Sequence, residues 1–464
     1  MQELDFRNKK VTVMGLGLAG GGLAVAKFLA KRGAQVTVTD LKTAKQLEKS
    51  LKQLKGYKIK YVLGKHQLAD FIKADMVIKN PGVHGRNKFL EAAQKHKVRM
   101  ETDLSLFFQL CPSSQTIGIT GTKGKSTTAS LVYQIIKAHK KEAILGGNIR
   151  ISPLDYLSKI KKDTPVVLEL SSWQLEGLQN KRISPHYALI TNVLCDHLNT
   201  YANMADYAAA KALIFKAQKP EDFVVLNKDN DYTRAMAKQV KSQLYWYSLK
   251  KLPANENGAY LDNGWLIFKQ GKKKEKIILV KNIQLRGLHN LSNILGTITL
   301  TKIFGVPSSI IKKVVSNFKG IEGRLQFIRE FNKIKYYNDT TATTPDAVIA
   351  ALNTLGEKVV LLAGGADKKL EFKELAKIIK NKVRALVLFK GTATDKLVKE
   401  LRKIKYQGKL ALVNSMPEAF KQARKILKPG DIFLLSPGAA SFGLFINEFD
   451  RGDQFNNAVN KLRK

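Results

Sequence analysis

The segment 118–127 has the sequence GITGTKGKST, and it constrains the fold more than any other part of the chain. It follows a short apolar run and precedes a helical pattern over residues 128–138. Glycines in such a loop let backbone N–H groups face a phosphate, and the helix N-terminus adds partial positive charge. Lys125 is placed to reach the outer phosphates, and Ser126 to contact Mg²⁺. Because Ile119 stands where a strict P-loop has its first glycine, a glycine-rich loop without a phosphate is the alternative.

Composition restricts the class of protein. A chain of 464 residues with 44% hydrophobic and 25% charged residues is typical of a globular protein of several domains. It contains no apolar run long enough to cross a membrane, and its acidic N-terminus does not resemble a signal peptide. The two cysteines, Cys111 and Cys195, are far apart in sequence. We therefore expect a cytoplasmic monomer without disulfides or a transmembrane segment.

The charge of the chain is strongly positive. Lys and Arg number 79 against 38 Asp and Glu, which gives a net charge of +41. Such a charge is compatible with binding to nucleic acid or to an anionic membrane. The basic residues are spread over the whole length, with only short clusters such as 272–274. This spread favours solvated lysine-rich helix faces, and we expect no obligate nucleic-acid partner.

Residues 10–110 alternate between strand and helix patterns. Strands are predicted at 11–14 and 35–38, with a helix over 20–32 between them. The loop 15–20 has the pattern GxGxxG, and Asp40 follows the second strand where a ribose-binding acid would stand. The pattern alone indicates an NAD-binding Rossmann domain, or any nucleotide whose phosphates meet that helix end.

The alternation continues to the end of the chain and predicts an α/β fold with doubly wound, mostly parallel sheets. Aromatic and apolar runs at 245–248, 259–261 and 265–268 indicate antiparallel hairpins within the second block. We expect a Rossmann-like N-terminal domain at 1–112 and a Rossmann-like C-terminal domain at 321–464. Between them, residues 113–320 should form a P-loop ATPase-like domain with a mostly parallel sheet and a small antiparallel addition.

Polar residues after predicted strands are candidates for chemistry, because ligands of open α/β sheets bind at that edge. Glu169 ends one strand and could hold Mg²⁺, or it could be a helix-entry residue. His197 follows another and could ligate metal or be structural. Lys211 lies in a helical pattern, where a lysine is normally a solvated charge.

Three further positions carry open alternatives. Asn290 could contact an adenine or cap the helix predicted over 289–304. Asp339 could bind a ribose or cap the helix that starts near Pro345. The small residues around Ser441 could approach a ligand closely or form an ordinary turn.

In their order along the chain, these segments resemble the Mur ligase family, whose members use ATP to form the amide bonds of the peptidoglycan peptide. The resemblance covers essentially the whole chain and is greatest to the member that joins D-glutamate to UDP-N-acetylmuramoyl-L-alanine. It rests on GLGLAG, NPGV, GTKGKST, GNI, ELSSWQLE, the Asp-His pair, GLHN, EGR, NDTTAT, LSPGAAS and the late DRG.

The resemblance replaces the NAD interpretation and implies a role for each matching residue. It implies ATP and two Mg²⁺ ions, with Lys125, His197 and Lys211 in catalysis and Lys211 carbamylated. The UDP-substrate would contact Gly17, Leu18, Asp40, Gly82 and Asn148. ATP would contact Gly121, Thr122, Lys123, Gly124, Lys125, Ser126, Thr127, Asn290, Arg324 and Asp339. Metal would be held by Ser126, Glu169, His197 and Lys211, and the incoming amino acid by Thr343, Lys368 and Ser441.

Some positions depart from the family pattern. Lys123 and Cys195 stand where asparagine and an acidic residue are common, and Thr341 and Glu448 stand where lysine and an aromatic residue are expected. The last two affect the choice of amino acid more than the use of ATP. Two alternatives therefore remain open: a related ligase for another amino acid, and a non-catalytic nucleotide-binding protein with a basic surface for nucleic acid or membrane.

Overall fold

The structure is a computed structural model that describes residues 4–17, 21–83, 87–149, 151–196, 200–356, 358–367 and 370–463. The chain divides into two compact units. The first unit contains Met1–Gln284 and Leu288–Phe318, and the second contains Leu285–Gly287 and Lys319–Lys464. Among the described helices, none combines the length and apolar character that crossing a bilayer requires.

The first sheet is parallel throughout, with the spatial order β3-β2-β1-β4-β5. Its central strand β1 is buried after its first residue, as expected for a parallel strand covered on both faces. The strands are β1 (Lys10–Met14), β2 (Gln35–Asp40), β3 (Ile59–Leu63), β4 (Met76–Lys79) and β5 (Arg99–Glu101). The helices are α1 (Gly21–Lys31), α2 (Glu48–Lys52), α3 (Leu68–Ile72), α4 (Lys88–Lys95) and α5 (Asp103–Leu110).

The second sheet has the order β14-β13-β12-β11-β10-β9-β6-β8-β7 and carries the glycine-rich loop on an interior strand. Its strands are β6 (Thr116–Thr120), β7 (Ile144–Gly147), β8 (Val166–Glu169), β9 (Tyr187–Ile190), β10 (Phe223–Asn227), β11 (Gln243–Ser248), β12 (Gly258–Asp262), β13 (Trp265–Gln270) and β14 (Lys273–Leu279). The accompanying helices are α6 (Lys125–His139), α7 (Ser172–Gln179), α8 (Met204–Lys216), α9 (Asp231–Met236), α10 (Leu288–Ile303) and α11 (Ser308–Asn317), with short 3₁₀ turns at Pro153–Lys159, Ala237–Gln239 and Val280–Asn282.

The antiparallel prediction is wrong for residues 245–248. Strand β11 pairs in parallel with both β10 and β12, and the antiparallel pairs described in this sheet are β12–β13 and β13–β14. The segment 249–257 returns the chain to the other end of the sheet, and Lys269 fixes it through hydrogen bonds from Nζ to the carbonyls of Pro253 and Ala254. The tight turn signal at 262–264 joins only β12 and β13.

The third sheet has the order β15-β16-β20-β17-β18-β19 and is parallel except for the pair β15–β16. The strands are β15 (Gln326–Phe331), β16 (Ile334–Asn338), β17 (Val359–Gly364), β18 (Val383–Phe389), β19 (Lys409–Val413) and β20 (Ile432–Leu435). The helices are α12 (Pro345–Leu355), α13 (Lys373–Lys382), α14 (Thr392–Lys403), α15 (Met416–Arg424) and α16 (Glu448–Asn460). Three mostly parallel sheets with helices between the strands confirm the predicted fold class.

Candidate active site

The glycine-rich loop joins β6 to α6, and two of its glycines cannot be replaced without a clash. Gly121 and Gly124 have φ angles of +145° and +85°. A Cβ on Gly121 would lie 1.9 Å from Thr191 Oγ1, and one on Gly124 would lie 2.3 Å from Asn293 Oδ1. Helix α6 begins at Lys125, three residues earlier than predicted, so its first N–H groups face the loop.

The end of β9 holds the loop backbone in place. Asn192 Oδ1 accepts a hydrogen bond from the Lys123 amide at 3.0 Å, and the Asn192 carbonyl accepts one from the Thr122 amide at 2.9 Å. The Lys123 carbonyl accepts hydrogen bonds from Thr191 Oγ1 at 2.6 Å and Asn192 Nδ2 at 3.1 Å. Both backbone polar groups of Lys123 are therefore engaged, and the loop is held in one conformation.

Two lysines converge on one backbone oxygen of this loop. The ammonium groups of Lys125 and Lys211 each donate a hydrogen bond to the Gly121 carbonyl at 2.9 Å, and Lys125 also donates to the Thr122 carbonyl at 3.0 Å. Lys211 comes from α8, lies over the Tyr207 ring at 4.3 Å and is only 1% exposed. The alternative of a solvated helix lysine is therefore wrong for Lys211.

The environment of Lys211 makes its charged form costly. Burial, together with the nearby positive charge of Lys125, lowers the pKa of the Lys211 ammonium to about 6. This shift favours the neutral amine near pH 7, which is the nucleophilic form of this side chain.

Glu169 is the last residue of β8, and its carboxylate is only 2% exposed. Its Oε1 atom accepts a hydrogen bond from Asn148 Nδ2 at 2.9 Å, while Oε2 has no hydrogen-bond partner among the described residues. The helix-entry alternative is wrong, because Ser171 is the N-cap of α7. A buried carboxylate oxygen without a donor fits the requirements of a hard cation.

Ser126 and His197 are two further residues predicted to hold metal. Ser126 is buried in the first turn of α6, whereas His197 lies outside the described residues. Within the described part of the chain, no cluster of three or more His, Cys, Asp or Glu residues could hold a metal ion.

The first sheet carries the glycine loop predicted to receive the UDP-substrate. Gly17 has a φ of +64°, and its amide donates to Asp40 Oδ2 at 3.1 Å, while Lys42 donates its amide to Asp40 Oδ1 at 2.9 Å. The Gly82 amide donates to Asn80 Oδ1 at 3.0 Å. Asp40 therefore fixes the loop backbone at the carboxyl edge of the sheet. Leu18 lies outside the described residues.

In the second unit, Asp339 is buried and fixes the segment that carries Arg324. Its Oδ1 atom accepts the Leu325 amide at 3.0 Å, and its Oδ2 atom accepts the Ser436 hydroxyl at 2.7 Å. Burial raises the pKa of Asp339 to about 7. The capping alternative is wrong, because Thr344 is the residue that precedes α12.

The remaining predicted amino-acid contacts are only partly described. Thr343 lies in the turn after β16, and Ser441 is buried after β20. Lys368 lies outside the described residues. Helix α16 begins at Glu448 and is capped by Asn447.

Some residues that shape the loop were not predicted from the sequence. Asn290 is buried within the first turn of α10 and is not its cap, and Asn293, one turn later, is the residue that contacts Gly124. The spacing of these two asparagines places them on one helix face, which was an available signal. Thr191 and Asn192 lie shortly before the Asp-His pair in the sequence, but nothing in their residue types indicated that they would hold the loop.

Known proteins resemble this chain over its full length. Family models described as MurD-like N-terminal domain, Mur ligase middle domain and Mur ligase glutamate ligase domain match residues 9–101, 119–301 and 323–438. The chain belongs to the Mur ligase family. The predicted resemblance is thereby confirmed.

Two relatives from different bacteria share one name. Proteins named UDP-N-acetylmuramoylalanine–D-glutamate ligase from Roseiflexus sp. (strain RS-1) and Borreliella burgdorferi (strain ZS7) are 42% and 39% identical to it. These alignments cover 98% and 99% of this chain, and 99% of each relative.

Solved structures share the fold at low sequence identity. A UDP-N-acetylmuramate–alanine ligase from Thermotoga maritima has a TM-score of 0.62 at 20% identity, over 98% of this chain and 99% of its own. A pseudomurein peptide ligase type C from Methanothermus fervidus has a TM-score of 0.58 at 19% identity, over 98% of this chain and 100% of its own.

Proposed function

We propose that this protein is an ATP-dependent ligase that joins D-glutamate to UDP-N-acetylmuramoyl-L-alanine during the synthesis of peptidoglycan precursors. One structural observation carries the use of ATP: Lys125 and Lys211 converge on Gly121 in a fixed loop at the N-terminus of α6. The nature of the two substrates is supported by the shared name of relatives that match the whole chain.

The proposed reaction proceeds in two steps. The carboxylate of UDP-N-acetylmuramoyl-L-alanine is a poor acylating agent. One of its oxygens therefore first attacks the terminal phosphorus of ATP, which forms an acyl phosphate and releases ADP. The amine of D-glutamate then attacks the acyl carbon, and phosphate leaves from the tetrahedral intermediate. Lys125 and the N–H groups of the loop stabilise negative charge on the transferring phosphoryl group.

The residues present are compatible with Mg²⁺. Glu169, Ser126, His197 and a carbamate on Lys211 would hold two ions, and the unpartnered Oε2 atom of buried Glu169 supports this donor set. Bound Mg²⁺ would neutralise charge on the phosphates during transfer. Asn148 orients the Glu169 carboxylate through its hydrogen bond to Oε1.

Carbamylation of Lys211 is part of the proposal. The neutral amine adds to CO₂ and loses a proton, so that a buried basic side chain becomes an anionic oxygen ligand. The low pKa of Lys211 and its near-complete burial support this modification, because only the unprotonated amine reacts.

The remaining substrate contacts follow from the matching motifs. The UDP-substrate would bind at Gly17, Leu18, Asp40, Gly82 and Asn148, within a domain of residues 1–112. The adenine and ribose of ATP would contact Asn290, Arg324 and Asp339, and D-glutamate would contact Thr343, Lys368 and Ser441. The ATP-binding domain would extend over 113–320 and the amino-acid-binding domain over 321–464.

We also propose a monomer that acts in the cytoplasm. Both cysteines are unpaired, one buried and one exposed, which is compatible with a reducing compartment. Sedimentation at micromolar concentration would test the oligomeric state.

The test of function is phosphate release from ATP and Mg²⁺ with UDP-N-acetylmuramoyl-L-alanine, run separately with D-glutamate, L-glutamate, L-alanine and a diamino acid. Release with D-glutamate alone is the expected result. Release with another amino acid would retain the mechanism and change the substrate, so the departures at Thr341 and Glu448 would become the first residues to vary. No release with any of them would favour a non-catalytic nucleotide-binding protein.

A further inference from the structure

Lys123 differs from the other lysines around the nucleotide loop in the direction of its side chain. The ammonium groups of Lys125 and Lys211 both point inward to the Gly121 carbonyl. Lys123 Nζ instead forms an ion pair with Asp196 Oδ2 at 3.1 Å, and the Lys123 side chain is 47% exposed. The Lys123 ammonium group is therefore a positive charge of the loop that is partly exposed to solvent.

The backbone of Lys123 cannot move far, but its side chain can. Its amide and carbonyl are both bonded to the end of β9, through Asn192 and Thr191. A half-exposed ion pair is weak because water screens it, so exchanging the partner of Nζ costs little. The terminal phosphoryl group of a nucleotide carries a charge of about −2 near neutral pH, against one negative charge on Asp196.

We propose that Lys123 leaves Asp196 when ATP binds and forms an ion pair with the terminal phosphoryl group, so that it discriminates ATP from ADP. This inference rests on the proposed function, in which the phosphates of ATP occupy the loop. Asp196, the present partner of Lys123, directly precedes the proposed metal ligand His197 in the sequence. The exchange also releases the Asp196 carboxylate from Lys123.

The test is equilibrium binding of ATP and of ADP, each with Mg²⁺, to the full-length protein and to K123Q. Loss of one charged contact should weaken ATP binding about tenfold or more, while ADP binding changes less than about threefold. K123R should retain ATP affinity within about threefold. K377Q is the matched control, because Lys377 forms an ion pair with Glu374 at 2.8 Å with similar exposure in the second unit.

A second variant separates contact from repulsion, since K123Q removes one positive charge from beside the Asp196 carboxylate. If Lys123 contacts the phosphate, the double variant K123Q/D196N remains defective for ATP. Recovery of ATP affinity in the double variant would overturn the proposal, and so would an equal loss of ATP and ADP affinity, or no loss, in K123Q. Unchanged ADP binding shows that K123Q is folded. If the unmodified protein binds neither nucleotide, the proposed function fails, and Lys123 has no phosphate to contact.

Discussion

Asn148 Nδ2 donates a hydrogen bond to Glu169 Oε1 at 2.9 Å, and the Asn148 amide donates to the Glu169 carbonyl at 2.8 Å. The sequence motifs implied separate tasks for these residues, with the first contacting the UDP-substrate and the second holding metal. The structure joins them in one contact at the end of β8. A substrate that contacts Asn148 would thus be linked directly to the orientation of the proposed metal ligand.

Asn148→Ala should therefore weaken the use of Mg²⁺ without removing the carboxylate. We expect the Mg²⁺ concentration for half-maximal phosphate release to rise about 10- to 100-fold, as when the hydrogen-bond partner of a metal ligand is lost. A Mg²⁺ titration of phosphate release measures this. Asn282→Ala, on an exposed 3₁₀ turn, is the control. An unchanged Mg²⁺ requirement would show that Asn148 does not orient Glu169.

Lys211→Met should abolish the dependence of activity on CO₂. We expect the unmodified protein to lose most of its activity in CO₂-depleted buffer and to regain it with bicarbonate, whereas K211M stays at least about 100-fold impaired in both. Carbon-13 NMR with labelled bicarbonate should detect a carbamate signal that K211M lacks.

Lys269→Met is the control, because Lys269 is another buried lysine. Its Nζ atom donates hydrogen bonds to two carbonyls of the 249–257 segment. That variant should keep the labelled signal. A signal that survives in K211M, or activity of the unmodified protein that ignores bicarbonate, would contradict carbamylation of Lys211.

Asp339→Asn should change how stability depends on pH. Burial raises the pKa of Asp339 from 3.8 to about 7, so between these values the folded state holds a proton that the unfolded state releases. Its contribution to stability is fully present below pH 3.8 and is lost as the pH rises through about 7. Urea unfolding at pH 5 and pH 8 should show a smaller difference for D339N than for the unmodified protein.

Asp453→Asn, at an exposed position of α16, should leave that difference unchanged. Equal pH profiles for D339N and the unmodified protein would mean that Asp339 does not retain its proton on folding.

Gly124→Ala should prevent ATP binding, because the new methyl group would clash with Asn293. Shortening Asn293 should relieve that clash. The new Cβ would lie 2.3 Å from Asn293 Oδ1, in addition to the cost of a φ of +85°. Gly305→Ala isolates the backbone cost of about 1–2 kcal/mol, because Gly305 has a φ of +92° and nothing within 4 Å of its Cβ position.

Nucleotide binding and thermal unfolding of both variants measure the difference. The double variant G124A/N293A should recover part of the stability lost in G124A. Equal effects of G124A and G305A would remove Asn293 as the cause.

Edge strands were harder to predict from the sequence than interior strands. No pattern indicated β3, β7, β14 or β19, and each of these lies at the edge of a sheet. Strand β19 shows the reason, since it is exposed at three of its five residues. Edge strands face solvent and lose the continuous apolar run that marks an interior parallel strand.

The site was predictable where a motif carries its own geometry and not where distant segments meet. Lys125 and Ser126 follow from their loop, and Glu169 from its place at a strand end. Asn293 lies close to Gly124, and β11 runs parallel to β10, because of which strands become neighbours in the sheet. No local sequence pattern encodes the order of the strands.

The contact between Gly124 and Asn293 also bears on how the protein comes to bind ATP as it is synthesised. The two residues are separated in sequence by strands β7 to β14, all of which are synthesised before α10. A nascent chain ending before α10 exposes the whole GTKGKST motif yet lacks the helix against which Gly124 packs. Nucleotide affinity is therefore acquired late, and ATP would stabilise only chains whose second sheet is already assembled.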